Sequence, residues 1–143
     1  MSGGAHITRS NMMFSRINFG AALGAVLLIA GCATGPAEFR GGVLTDAKGM
    51  TLYTFDKDPA GTGRSVCNGR CAVNWPPLKA ESDATASGRY TVITRDDGIK
   101  QWAYDGKPLY FWVKDRHPGD RTGDGVGNVW HVVKQPAGSM GAY

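Results

Sequence analysis

The sequence predicts a small all-β domain, an antiparallel sheet or sandwich built from two related hairpin units and standing behind an N-terminal leader. Three observations predict it. Apolar and aromatic residues come in short runs punctuated by Gly, Asp and Pro. No long stretch of the mature chain carries a helical period. The segment GMTLYTFDKD at 49–58 recurs as GKPLYFWVKD at 106–115.

In chain order, the leader comes first. Arg9 and Arg16 precede an uncharged apolar run, 19–30, which is too short to span a bilayer comfortably. That layout predicts a secretory signal peptide over 1–31. The run closes on LIAGC, residues 28–32, which resembles a bacterial lipobox. The resemblance implies a diacylglyceryl group on the Cys32 thiol and cleavage in front of it. The plainer alternatives are a simple membrane anchor or an ordinary signal peptide with an accidental cysteine. Met12 or Met13 would each serve as a start, because the leader is complete from either. Residues 32–41 have small side chains and a proline without periodic pattern, and predict a short lipidated tether.

The β domain is expected over 42–135, with strands at 43–45, 51–55, 90–94, 100–104, 108–113 and 129–133. TDAKG, DDG and YDGK fall between pairs of them and supply the positive φ that tight hairpins require. A single helical turn is expected at 71–74, stopped by Pro76 and Pro77. Residues 81–88 read as a polar loop and 136–143 as a disordered tail.

The repeat aligns Gly49, Leu52, Tyr53, Lys57 and Asp58 with Gly106, Leu109, Tyr110, Lys114 and Asp115, and Phe55 with Trp112. Strand alternation puts Tyr53 with Phe55, and Tyr110 with Trp112, on one face, with Leu52 and Leu109 on the other. The units, about 43–66 and 99–133, are expected to pack as similar halves, because one hairpin alone cannot bury both faces. At these residues the chain resembles a family of bacterial lipoproteins and secreted repeats marked by a Tyr-x-aromatic-x-x-Asp motif, here Tyr53, Phe55, Asp58 and Tyr110, Trp112, Asp115. The likeness extends through CNGRCAVNWPPL, QWAYDGKPLY and GDRTGDGVGNVWHVV. It implies a predicted lipoprotein of unknown function, with no substrate, cofactor or catalytic residue to carry over.

Composition narrows the partners. About 110 residues follow Cys32, one small domain. They carry fourteen basic and all twelve acidic side chains, so the whole-chain charge of +4 falls to +2. Nucleic-acid binding, which needs a clustered basic face, is not supported. A membrane partner through acyl chains at Cys32 is.

Cys67 and Cys71 are the first chemical candidates. In an oxidising compartment such a pair forms a disulfide, and the turn that Asn68 and Gly69 favour brings the two Cα atoms within reach. The alternatives are a thiol-redox pair or, with His117 or His131, a soft copper site. No βαβ pattern accompanies Cys-x3-Cys, and the two-residue spacing that lowers a thiol pKa is absent. No other cofactor is expected. Asp115, Asp120, Asp124 and Asn128 offer oxygen ligands for a hard cation, although Asp and Gly at this density make turns in which carboxylates cap backbone amides. The aromatic set either fills the core or leaves a platform for a glycan or peptide, for which Trp75 and Trp102 are the candidates alongside the motif rings. Hydrolytic motifs are absent, and Glu38 and Glu81 are the only glutamates.

The reading reached from sequence is a cell-envelope lipoprotein, not an enzyme, with a non-catalytic binding or structural role. The alternative is a copper or thiol-redox protein of the envelope. Ala33 stands where a retention aspartate would hold a lipoprotein in the inner membrane. The outer membrane, facing the periplasm, is therefore expected in a two-membrane organism, and the outer face of the cell membrane otherwise. The protein or glycan partner is left open.

Overall fold

A computed structural model describes Gly3 and residues 35–138. The leader, Cys32 and the end of the tail lie outside the described residues. Within them the chain forms seven short strands, one helical turn and one 3-10 turn, in the order β1 (Glu38–Arg40), β2 (Val43–Thr45), β3 (Tyr53–Phe55), α1 (Arg70–Asn74), β4 (Tyr90–Thr94), β5 (Lys100–Tyr104), β6 (Lys107–Pro108), η1 (Val126–Asn128) and β7 (Trp130–Val132). All pairings are antiparallel: β1 with β2, β3 with β7, and β5 with both β4 and β6. No described helix is long and apolar enough to cross a membrane.

Turn chemistry dictates the hairpins. Gly41 and Gly42, at φ 56° and 82°, close β1 on β2, and Asp105 and Gly106, at 49° and 76°, close β5 on β6. Two successive positive φ values define the turn whose twist matches paired strands. Strand β1 departs from the sequence reading, which left 38–40 in the tether. The Gly-Gly turn folds the tether's end back, so that Phe39 lies opposite Leu44. The strand expected over 108–113 stops after Pro108 as a regular ladder. Beyond it the neighbouring segment is Pro76 and Pro77, which have no N–H to give. Bonds there run from the partners that can donate: Phe111 N–H to Pro76 O at 2.8 Å and Leu78 N–H to Leu109 O at 2.9 Å.

The two units are related by a pseudo-twofold axis and exchange their last segments. Tyr53 N–H donates to Tyr110 O at 2.8 Å, and Tyr110 N–H returns the bond to Tyr53 O at 3.0 Å. Around that pair the bonds come in matched sets. Leu44 N–H reaches Val133 O at 2.9 Å, as Trp102 N–H reaches Leu78 O at 2.9 Å. Val43 bridges Lys134 as Gln101 bridges Lys79, and Tyr53 pairs with Val132 as Tyr110 bridges Pro77. Thus 77–79 completes the second unit's sheet, and 132–134 completes the first's.

Strand alternation sorts the core into two clusters. Tyr53, Phe55, Trp75, Tyr110 and Trp130 fill one with Cys67 and Val132, and Leu44, Leu52, Leu78, Tyr104 and Leu109 fill the other. The motif rings and the leucines therefore occupy opposite faces, as the period of two requires.

Candidate functional site

The repeated motif is the natural place to look for function, and it lies at the centre of the molecule. Tyr53, Tyr110, Leu52 and Leu109 have no exposed surface. Each motif tyrosine reaches out of its own unit into the other. The Tyr53 hydroxyl donates to Asp115 Oδ2 at 2.6 Å, and the Tyr110 hydroxyl donates to Asp58 Oδ2 at 2.5 Å. The second oxygen of each carboxylate holds a loop. Asp58 Oδ1 accepts from Val66 N–H at 2.8 Å, and Asp115 Oδ1 accepts from Thr122 N–H at 3.0 Å and the Thr122 hydroxyl at 2.6 Å. Burial, reinforced by the facing carboxylates, pushes both tyrosine hydroxyls well above their ordinary pKa. They remain donors. Burial also raises Asp58, against the lowering effect of the bonds from Tyr110 and Val66 and of the Arg95 charge.

The motif tyrosines keep a ring partner within their own unit, whereas Phe55 and Trp112 stack on the other unit. Tyr53 meets Trp75 edge-on at 5.4 Å, and Tyr110 meets Trp130 edge-on at 5.2 Å. Trp75 and Trp130 stack at 3.8 Å across the axis, then Trp112 stacks on Trp75 at 4.0 Å and Phe55 on Trp130 at 4.3 Å. The result is one four-ring ladder, Trp112, Trp75, Trp130, Phe55, in which each end ring comes from the unit opposite to its neighbour. Gly123 lies against its side: a Cβ there would stand 2.9 Å from Trp75 Cη2 and Tyr53 Cζ and 3.0 Å from Trp112 Cγ.

One flank of the interlock breaks the symmetry. Arg95, with its side chain wholly buried, donates through Nη1 to Ser65 Oγ at 2.9 Å and Gln101 Oε1 at 2.8 Å, and through Nη2 to Cys67 O at 2.5 Å. Its Nε has no hydrogen-bond partner, the Asp97 carboxylate standing 3.7 Å away. Ser65 Oγ in turn lies 2.6 Å from the Tyr110 hydroxyl. A continuous buried chain therefore runs from Asp58 through Tyr110 and Ser65 to Arg95 and Gln101.

The remaining sequence candidates separate. Cys67 and Cys71 form a disulfide with Cα atoms 5.2 Å apart, which ties each sulfur to the other. The expected histidine partners are engaged elsewhere. His117 is exposed beside Asp120, and His131 Nε2 lies 2.9 Å from Asp56 Oδ2. In the Asp-rich loop, Asp120 Oδ2 accepts from the N–H groups of Arg116 and His117 at 2.8 and 2.9 Å, and those bonds lower its pKa. Asp124 Oδ1 accepts from Val132 N–H at 3.0 Å. These carboxylates cap backbone. Among the described residues no three His, Cys, Asp or Glu side chains gather as a metal-holding group.

Trp75, named from sequence as a candidate binding ring, is corrected by its burial at 4 % exposure within the ladder. Tyr53 and Tyr110 are likewise out of reach of a ligand. Trp102 and Trp112 keep partial exposure, and Lys114 Nζ lies 5.6 Å from the Trp112 ring. Sequence reasoning missed the equivalence of Trp75 and Trp130, for which the signal is WPPLK against WHVVK. It also missed Ser65, Arg95 and Gln101, since an arginine beside DDG reads as a solvated turn.

Comparison with known proteins now bears on this architecture. The model of a family described as a secreted repeat of unknown function matches twice, at residues 39–79 and 91–134. The chain belongs to that family. Its repeats run past the motif to Lys79 and Lys134, the ends of the two exchanged segments, so the family unit includes the strand that each half donates to the other. No curated protein and no solved structure matches the chain.

Proposed function

We propose that this secreted-repeat protein is a cell-envelope lipoprotein, acylated at Cys32, whose domain serves a non-catalytic binding or structural role. The observation that carries the non-catalytic part is the interlock itself. The motif tyrosines and aspartates bond to one another in the buried core, so their chemistry is that of a fastener. The anchor is supported by the leader and by LIAGC at 28–32, and the expectation of the outer membrane in a two-membrane organism belongs to the same proposal. Of the tryptophans, Trp102 and Trp112 are left for a partner.

Intact mass of the full chain recovered from bacterial membranes tests the anchor. A diacylglyceryl and N-acyl increment on a chain beginning at Cys32 is expected, with release of Cys32→Ser to the soluble fraction; an unmodified mass defeats it. The copper alternative is tested on the same preparation without reductant. No titratable thiol at Cys67 or Cys71 and no copper is the expected result, whereas two thiols with an equivalent of copper would overturn the non-catalytic reading in favour of a metal site.

A further inference from the structure

The tether does not leave the domain freely. Gly35 lies so close against the Tyr90 ring that a Cβ there would stand 2.6 Å from Tyr90 Cε2, and the Tyr90 hydroxyl donates to Ala37 O at 2.8 Å. The chain is therefore held against Tyr90 of the β4–β5 hairpin from Gly35 onward, at the edge of the leucine cluster. Gly35 stands three residues on from Cys32, with Ala33 and Thr34 between them, a reach of at most about 11 Å. A domain of this size has a radius of gyration of about 13 Å. The leash is shorter than the body it holds, so whatever surface surrounds Gly35 must face whatever Cys32 is anchored in.

That surface is aromatic. Register puts Tyr90 opposite Tyr104 and Val92 opposite Trp102, so the four side chains share one face of the hairpin. Tyr90, Val92, Trp102 and the adjoining Phe39 are partly exposed there. Tyr90 contacts Trp102 and Tyr104 at ring separations of 6.4 and 5.1 Å, and Phe39 meets Tyr104 edge-on at 5.9 Å. A hollow of about 330 Å³ opens between Gly35, Phe39, Arg89, Tyr90 and Tyr104. Arg89 at its margin is already ion-paired with Asp105. The face therefore offers rings more than charge, which is the chemistry of the bilayer interface, where amphipathic aromatics sit with one end apolar and the other wet.

We propose that the face formed by Phe39, Tyr90, Val92 and Trp102 is the surface on which the domain rests against the phospholipid bilayer, fixing its orientation. The proposal rests on the reading of Cys32 as the acylated residue. It leaves the ladder end at Trp112, in the core cluster on the opposite side of the strands, turned toward the aqueous compartment and open to a partner.

Four tryptophans make the test direct, because Trp102 is the one outside the ladder. The full chain, expressed with its own leader and extracted from membranes, is reconstituted into phosphatidylcholine vesicles with or without bromine near the headgroup end of the acyl chains. Its intact mass is read on the same sample. The expected result is a fall of tryptophan emission in the brominated vesicles that disappears in Trp102→Phe and persists in Trp112→Phe. An acylated wild-type chain whose emission is indifferent to bromine overturns the face assignment and leaves the anchor standing, whether or not the variants fold. Quenching that survives in folded Trp102→Phe overturns it equally and moves the contact elsewhere. A chain without acyl mass removes the anchor, and the assignment falls with it.

Discussion

At the scale of single residues, the two tyrosine–aspartate contacts look equivalent but are not equally insured. If Tyr53 is truncated to Phe, Asp115 keeps both bonds from Thr122. If Tyr110 is truncated, Asp58 keeps only the Val66 amide, and Ser65 loses a partner as well. A buried charged group left short of partners costs about 3 kcal/mol. Urea unfolding should therefore find Tyr110→Phe the more damaging change, by about that amount, with Tyr53→Phe costing less; the reverse order would mean that the network from Ser65 to Arg95 does not support Asp58. The same carboxylate gives the domain a pH signature. Its folded pKa lies above the ordinary value because burial outweighs its bonds. The folded state thus holds the proton more tightly than the unfolded chain, and Asp58's contribution is full below about pH 4 and falls as pH rises through the raised pKa. Asp58→Asn, which cannot ionise, should lose less stability relative to wild type at pH 8 than at pH 4. A gap that widened with pH would show that the bonds from Tyr110 and Val66 prevail over burial.

At the scale of elements, Gly123 shows how tightly the ladder is closed. Its constraint is proximity to three rings that pack on one another, Trp75 stacked on Trp112 and edge-on to Tyr53, and cannot swing away. Gly123→Ala should cost about 1–3 kcal/mol by overpacking and should shift near-ultraviolet dichroism, because the ladder must part to admit the methyl group; an unchanged melting temperature and spectrum would deny the close approach. The disulfide belongs to this scale as well. A loop of so few residues constrains little of the unfolded chain, about 2 kcal/mol on the chain-entropy model. Reduction, or the Cys67→Ser and Cys71→Ser pair together, should lower stability by about that much without unfolding the domain, read as a shift of the urea midpoint with an unchanged slope. Much of this level was legible in the sequence. Asp-Gly and Lys-Gly marked hairpins, the period of two put Tyr53 and Phe55 opposite Leu52, and Asp-rich loops announced amide caps. Strand β1 was missed because three residues behind a proline carry too little pattern, and their pairing depends on a Gly-Gly turn read as tether. Arg95 was missed for a different reason: a local pattern cannot foretell a buried guanidinium whose partners, Ser65, Cys67 and Gln101, come from two other segments.

At the scale of the whole molecule, the sequence announces two halves but not that they trade strands. Alternation says which face a side chain takes and is silent on which neighbour the strand will find, so pairing within a unit and pairing between units leave the same trace. The structure decides for exchange at every level: the main chain of 77–79 and 132–134, the hydroxyls of Tyr53 and Tyr110, and the outer rings Phe55 and Trp112. A half on its own then lacks its last strand, the donor for its aspartate and a neighbour in its ladder, a loss far beyond the 5–15 kcal/mol that holds a typical domain together. The polar loop at 81–88 carries no part of the interlock and adds only covalent continuity between the halves. Cut between Ala84 and Thr85, the fragments 32–84 and 85–143 should each be unfolded by circular dichroism and should fold on mixing into a one-to-one complex that restores the near-ultraviolet signal of stacked tryptophans. Tyr110→Phe in the second fragment should weaken that complex more than Tyr53→Phe in the first, since Asp58 has the fewer remaining partners. A fragment that folded alone would show that its own closing segment can return to its own sheet, and that exchange is a choice of this topology and not the condition of its stability.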